Sequence, residues 1–402
     1  MDTPRHALTS PRERIIEGAR NWWFLGPGGT ARLDSRHLTA DARLRPLAER
    51  QLRAEGLFTP SAYRSYSLTV LTSTDCNLGC GYCFQNTGTD TEGSRPPRIA
   101  HARLTVDTIE RILHFTRRQM AQVGLDRLRL LLFGGEPLLN PRGCRELLSR
   151  AADLGLAGAS MTSNGTLLTP LLAKELSALG LDIVQVTFDG DQADHDQIRV
   201  ARTGGTTFEV ILRNMARVTQ VAPIRWNIRI NVSHLNVDGI GALIERLAER
   251  LDPARCAISL ARVGDIGIGY HNDLLHTGAL AAAFAGWQRR ALDLGFRVPP
   301  PRPQTPCQMC SFKNGRYGAV VSADGTIASC WETAGRPEWT VGSVDRGYLP
   351  AEQLDARWTS CETSYQYGDD QAALARFHDQ VDADLLDYLD ATGRFPTPTA
   401  AR

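Results

Sequence analysis

Six alternations of a short apolar strand with an amphipathic helix, running from about residue 65 to residue 298, predict an α/β fold on a parallel sheet with right-handed crossovers. Three observations carry that reading. The strands are brief apolar runs at 67–72, 128–133, 159–162, 183–188, 226–232 and 257–261. Helical periodicity falls between and after them, at 106–123, 142–154, 170–178, 208–218, 240–251 and 278–293. The residues able to do chemistry cluster just past the strand ends, where βα loops place a site. An open doubly wound sheet and a partial barrel both satisfy this pattern.

Ahead of the first strand, residues 1–64 read as an extension. Trp22-Trp23-Phe24-Leu25, a Gly26-Pro27-Gly28-Gly29 turn and Thr30-Ala31-Arg32-Leu33 suggest two strands. A helix follows with Leu44, Leu47, Ala48 and Leu52 at helical spacing. Pro46 belongs in a first turn, so this helix starts near residue 45 and ends before Gly56. No strand–loop–helix order surrounds the glycines, so they form a hairpin turn rather than a phosphate cradle.

The chain has 402 residues, enough for one large domain with small extensions. Its 45 Lys and Arg nearly balance 44 Asp and Glu, which leaves no basic stripe for nucleic acid. No apolar run is long enough for a membrane span, and no signal peptide opens the chain. The expectation is a cytoplasmic protein with neither nucleic-acid nor membrane partners. Seven of the nine cysteines fall in two sets, which argues for metal ligands rather than disulfides. Cys144, within a helical pattern, and Cys256, at a strand start, read as buried small hydrophobes.

The first set, Cys76, Cys80 and Cys83, follows the first strand in a C-x3-C-x2-C run with Tyr82 just before the last sulfur. Three thiolates leave a four-coordinate site open. A structural zinc wants four ligands, whereas a four-iron cluster on three cysteines keeps one iron for a small molecule. A disulfide with a spare thiol, or a zinc knuckle with a distant ligand, are the other readings.

This stretch resembles the cluster loop of the radical S-adenosylmethionine (SAM) superfamily. The resemblance implies a partial (β/α)6 TIM barrel over residues 65–298. It implies a [4Fe–4S] cluster on Cys76, Cys80 and Cys83 whose open iron is chelated by SAM. A one-electron donor such as flavodoxin or ferredoxin would reduce the cluster, and a 5′-deoxyadenosyl radical would abstract hydrogen from the substrate.

The later strand ends resemble the same family. Gly134, Gly135, Glu136 and Pro137 match its "GGEP" motif, implied to hold the SAM amino group. Ser163 and Asn164 sit at a polar strand end implied to face SAM, although Thr169-Pro170 also makes helix-capping chemistry there. Asp189-Gly190, His195-Asp196, Arg199 and Phe208 resemble a block of peptide-modifying members. Asp189 is the SAM- or substrate-facing candidate, while His195 and Arg199 read as loop hydrogen-bonding residues. Alternation puts Arg229 and Asn231 on one strand face, toward SAM or toward a solvated mouth. No residue is assigned as catalytic.

Residues 299–402 carry the second cysteine set. Beyond a Pro-rich stretch at 298–306 come Cys307, Cys310, a hairpin turning at Asp324-Gly325, then Cys330 and Cys361. Four cysteines would also satisfy zinc. The arrangement resembles a twitch/SPASM-like iron–sulfur extension, cut short because 372–388 reads as a helix and no cysteine follows Cys361. It implies one auxiliary [4Fe–4S] cluster.

The expected function is therefore a radical SAM enzyme acting on a precursor peptide, forming a C–C or C–S crosslink or a related oxidation. A sulfatase-type maturase, a small-molecule radical SAM dehydrogenase and a non-enzymatic iron–sulfur redox sensor or binding module are the alternatives.

Overall fold

The computed structural model describes residues 13–85, 98–264, 270–301, 307–359 and 371–395. At its start β1 (Arg14–Glu17), β2 (Trp22–Gly26) and β3 (Gly29–Leu33) form a three-stranded antiparallel sheet. Gly26 pairs with Gly29, so Pro27 and Gly28 make a two-residue turn. A Cβ on Gly28 would strike the Gly56 carbonyl, which fixes glycine there. Helix α1 (Pro46–Ala54) follows with its proline in the first turn.

The main sheet grows in chain order from β4 (Tyr66–Ser73), β5 (Leu128–Gly134), β6 (Leu156–Thr162), β7 (Leu181–Phe188), β8 (Arg225–Val232) and β9 (Cys256–Arg262). Each is parallel to its sequence neighbour. Between and after them run α2 (Val106–Val123), α3 (Pro141–Ala151), α4 (Pro170–Ala178), α5 (Gln192–Ile198), α6 (Phe208–Val221), α7 (Ile240–Arg250) and α8 (Gly278–Asp293). Residues 68–74 are buried almost without interruption, as a parallel strand covered on both faces should be. Helix α2 shows why these boundaries arise. The Thr105 hydroxyl accepts from the Thr108 N–H at 3.2 Å, and Gly124 ends the helix at φ 66°. Ile109, Ile112, Phe115 and Thr116 then turn inward at helical spacing.

The C-terminal part adds β10 (Gly318–Val321), β11 (Thr326–Ala328), β12 (Thr340–Ser343), β13 (Gly347–Tyr348), α9 (Ala351–Arg357) and α10 (Gln371–Ala391). The expected hairpin is present, and β10 lies parallel beside β4, with Gly318 opposite Ser67 and Val321 opposite Val70. The sheet thus runs β13-β12-β11-β10-β4-β5-β6-β7-β8-β9, and it does not close among the described residues. This is the α/β architecture of a partial barrel.

Helix α10 crosses back onto the N-terminal sheet. Arg14 donates to Asp379 at 2.7 Å and pairs with Asp382. Asp387 accepts from the Trp23 indole at 2.9 Å and from the Arg20 amide at 2.8 Å. Trp23 and Asp387 are both buried, so the bond leaves neither polar group unsatisfied.

Candidate functional site

The C-terminal ends of β4 to β8 lie together, and the predicted residues of the barrel, from Cys76 to Asn231, are joined there. The loop leaving β4 carries Cys76, Cys80 and Cys83. Its start is held by the Asp75 carboxylate, which accepts from the Cys76 amide at 2.8 Å and pairs with Arg98. The loop is also stitched to the segment after α5: Gly79 N–H donates to Val200, and Arg202 donates to the carbonyls of Cys76 and Leu78.

Gly134 and Gly135 end β5 against this loop. Gly134 has φ 134°, and a Cβ there would collide with the Ser73 carbonyl. The Gly135 and Glu136 amides donate to Ser73 and Asp75 at 2.9 and 2.7 Å. The Glu136 carboxylate is fully buried and accepts three bonds, from Leu138 N (3.0 Å), Ser163 Oγ (2.9 Å) and Asn164 N (2.7 Å). Burial raises its pKa while those bonds oppose the shift. The carboxylate is therefore engaged in tying the β5 turn to the end of β6. Pro137, also buried, starts the next turn.

Asn164 connects that brace to the cysteines. Its amide nitrogen donates to Asn77 Oδ1 at 2.8 Å and lies 3.9 Å from Cys76 Sγ, which also accepts from Leu78 N at 3.4 Å. N–H groups aimed at a sulfur favour its thiolate and its metal-bound state.

A second polar group forms behind the loop. Tyr82 Oη donates to Asp189 Oδ2 at 2.7 Å and accepts from Arg199 Nη1 at 2.8 Å and Asn231 Nδ2 at 3.1 Å. Arg199 also reaches Asp189 at 3.3 Å, and Arg229 Nε donates to Asn231 Oδ1 at 2.7 Å. Asp189 and Arg199 are 1% and 8% exposed, so this is a buried ion pair. Burial raises the Asp189 pKa, and Arg199, Tyr82 and Asn231 pull it back. Arg229 and Asn231 share one face, as alternation required. His195 is structural: buried between Phe188 and Phe208, its Nδ1 accepts from Asp189 N at 3.3 Å and its Nε2 bonds Thr207 Oγ1 at 3.2 Å.

Cys307 and Cys310 precede the hairpin and Cys330 follows it, near enough for their charges to act on its thiol. Cys310 and Cys330 are 2% and 4% exposed, and Cys307 is half-buried. Burial pushes the Cys330 thiol up, and negative charge on Glu332, Cys310 and Cys307 adds to that. Cys361 lies outside the described residues.

Both sets have donors suited to a cluster. Burial pushes Cys76 up to about 12 and Cys80 up to about 11, so ligation must displace their protons. Among the described residues no three Cys, His, Asp or Glu side chains crowd round one ion. A cleft of about 390 Å³ opens beside the first loop, walled by Gly79, Gly81, Tyr82, Val200, Leu235 and Tyr270.

Sequence reasoning missed Asn77, Asp75 and Arg202 as supports of the loop. Asn77 and Asp75 flank Cys76, so their position was the available signal. Arg202 had none beyond its place in a polar loop.

Comparison with known proteins agrees with this geometry. The sequence profile of the radical SAM superfamily matches residues 70–247. An AdoMet-dependent heme synthase of Methanosarcina barkeri is 31% identical over 175 residues, 43% of this chain and 44% of that protein. A GTP 3′,8-cyclase of Nostoc punctiforme is 33% identical over 157 residues, 38% of this chain and 44% of the other. The chain thus spans less than half the length of these relatives. The structure of native anSMEcpe with bound AdoMet superposes with a TM-score of 0.58 at 17% identity, over 81% of this chain and 97% of that one. The same protein with bound AdoMet and Cp18Cys peptide gives 0.55 at 16% identity, with the same coverage. These likenesses establish a shared fold. No helix among the described residues is long and apolar enough to cross a membrane.

Proposed function

Residues 70–247 form a radical SAM domain, and from that premise we propose that this protein is a peptide-modifying radical SAM enzyme forming a C–C or C–S crosslink or a related side-chain oxidation. Radical SAM domains work with a [4Fe–4S] cluster and SAM, and they need a one-electron donor. Flavodoxin or ferredoxin would fill that role here.

The observation that carries this reading is the convergence of one loop and four strand ends. Cys76, Cys80 and Cys83 on the β4 loop would hold the cluster, leaving one iron for SAM. When bound, that pair supplies an electron to the sulfonium and so a 5′-deoxyadenosyl radical able to take hydrogen from a C–H bond.

The protein's own part is positioning. Gly134 and Gly135 bring backbone close to the loop. Ser163 and Asn164, locked by Glu136, present polar groups at the end of β6. The buried Asp189–Arg199 pair fixes Tyr82 beside the last cysteine, and Arg229 and Asn231 complete that wall. Preorganised dipoles in a site shielded from water need little rearrangement when charge develops.

The fold likeness to a protein solved with both AdoMet and a peptide favours a peptide substrate. Cys307, Cys310 and Cys330 would hold one auxiliary [4Fe–4S] cluster, able to accept an electron from the oxidised substrate. A small-molecule substrate is the second reading, favoured by the heme synthase and GTP cyclase relatives. The test is incubation of the reduced, anaerobic protein with SAM, followed by assay of 5′-deoxyadenosine. Formation supports the enzyme reading, and metal binding without SAM cleavage would leave the redox sensor. Added cysteine-containing peptide or GTP should then separate the substrate classes by which one accelerates turnover.

A further inference from the structure

The segment after Cys330 is latched to the segment after Cys83, although 252 residues separate the partners in sequence. Arg336 Nη2 donates to the Phe84 carbonyl at 2.6 Å. Gln85 Nε2 reaches back to the Trp331 carbonyl at 3.4 Å. Gly335, at φ 84°, lies so close to Ile99 that a Cβ would come within 2.9 Å of its Cδ1. Ile99 N–H in turn donates to Gln85 at 3.3 Å. The Trp331 ring lies 6.0 Å from that of Phe133, the residue before Gly134. A half-buried guanidinium is thereby set on the exit of the first cysteine loop by the C-terminal part of the chain.

We infer that Arg336 is a positioning residue for the SAM-site cluster: it fixes the loop at Phe84 and raises the cluster's reduction potential. The inference rests on the cluster held by Cys76, Cys80 and Cys83. Reduction adds one negative charge to the cluster. A fixed cation beside Cys83 stabilises the reduced form more than the oxidised one, and partial burial weakens solvent screening of that effect. Burial pulls the Arg336 guanidinium below its usual range, while negative charge on Glu338 and Cys83 holds its proton. Arginine stays charged throughout the working range. Glu338, exposed on the following turn, offsets part of the cation's field.

The test is a redox titration of the anaerobically reconstituted full chain, followed by electron paramagnetic resonance. The SAM-site signal is identified as the one that changes when SAM is added. Arg336→Gln should shift the midpoint to more negative potential, with the reduced fraction at a fixed donor potential falling about tenfold, or about 59 mV for one electron. Arg336→Lys should shift it less, because the charge remains. Glu338→Gln should move it the other way.

An unchanged midpoint in Arg336→Gln with iron retained would overturn the inference. Equal shifts in the Gln and Lys variants would overturn the charge assignment. If Arg336→Gln fails to hold iron, the exposed Glu338→Gln variant carries the test, and no shift there overturns it. A wild-type protein without any SAM-responsive signal would instead overturn the cluster reading beneath it.

Discussion

Tyr82 and Asp189 are joined by a 2.7 Å hydrogen bond that ties the Cys76–Cys83 loop to the end of β7. Because the same hydroxyl accepts from Arg199 and Asn231, its hydrogen-bonding capacity is filled inside the protein. The ring is left to face Tyr270, with centroids 5.9 Å apart.

Tyr82→Phe keeps that ring and deletes only the hydroxyl. Asp189, Arg199 and Asn231 then lose a shared partner in a buried setting, at a cost of about 1–3 kcal/mol. The expected outcome is unchanged iron content, a lower unfolding midpoint and slower 5′-deoxyadenosine formation. Full activity with unchanged stability would show that the hydroxyl does not position the loop.

The Asp189–Arg199 pair should behave as a unit. Asp189→Asn leaves a buried guanidinium without its counter-charge, a loss of about 3–5 kcal/mol. Arg199→Gln leaves the carboxylate in the same position. Combining the two removes both charges, so the double variant should lose less than the sum of the singles. Denaturant titrations of the four proteins measure that coupling, and strict additivity would mean that the two charges do not interact.

His195 gives a pH dependence with a definite sign. Burial holds its imidazole well below the usual range, and protonating Nδ1 would break the bond from Asp189 N–H. The unfolded chain takes up that proton near pH 6.5, so below that pH the unfolded state binds more protons. Stability contributed by neutral His195 is complete above about pH 6.5 and falls as the pH drops toward the folded-state value, by about 1.4 kcal/mol per pH unit. His195→Gln should remove this slope between pH 6.5 and 5. Denaturant midpoints of both proteins across that range check it, and parallel curves would contradict it.

Much of the sheet was legible because parallel strands buried on both faces leave runs rich in apolar residues, as at Leu68-Thr69-Val70-Leu71. Strand β1 was missed because Arg14-Ile15-Ile16-Glu17 is short and half charged. The hairpin was legible from Asp324-Gly325, but its pairing to β4 was not, since register with a strand 251 positions away leaves no local mark. The cysteine loop was legible from its C-x3-C-x2-C spacing, and the Gly-Gly-Glu-Pro turn only through its resemblance to the radical SAM motif. What the spacing could not give was the direction of the Glu136 carboxylate, which is fixed by donors from Leu138, Ser163 and Asn164. Arg336 was invisible for the same reason as the β4 pairing: its partner, Phe84, is distant in the chain.

The C-terminal cysteines give the prediction that most affects the chemistry. Replacing Cys76, Cys80 and Cys83 together by Ala removes the first site and leaves Cys307, Cys310 and Cys330 in place. These three surround a hairpin that is hydrogen-bonded to β4, so the sheet should persist without the first cluster. After anaerobic reconstitution, iron and sulfide should remain at about four of each per chain, the content of one cubane cluster. Adding Cys330→Ala should then abolish them, because Cys330 leaves the hairpin on the side facing Cys307 and Cys310, whose charges act on its thiol. Zinc in place of iron would make this region a structural metal site and move the reading toward redox-neutral chemistry. Retained iron, with the auxiliary cluster available to take an electron, would support net oxidation of the substrate.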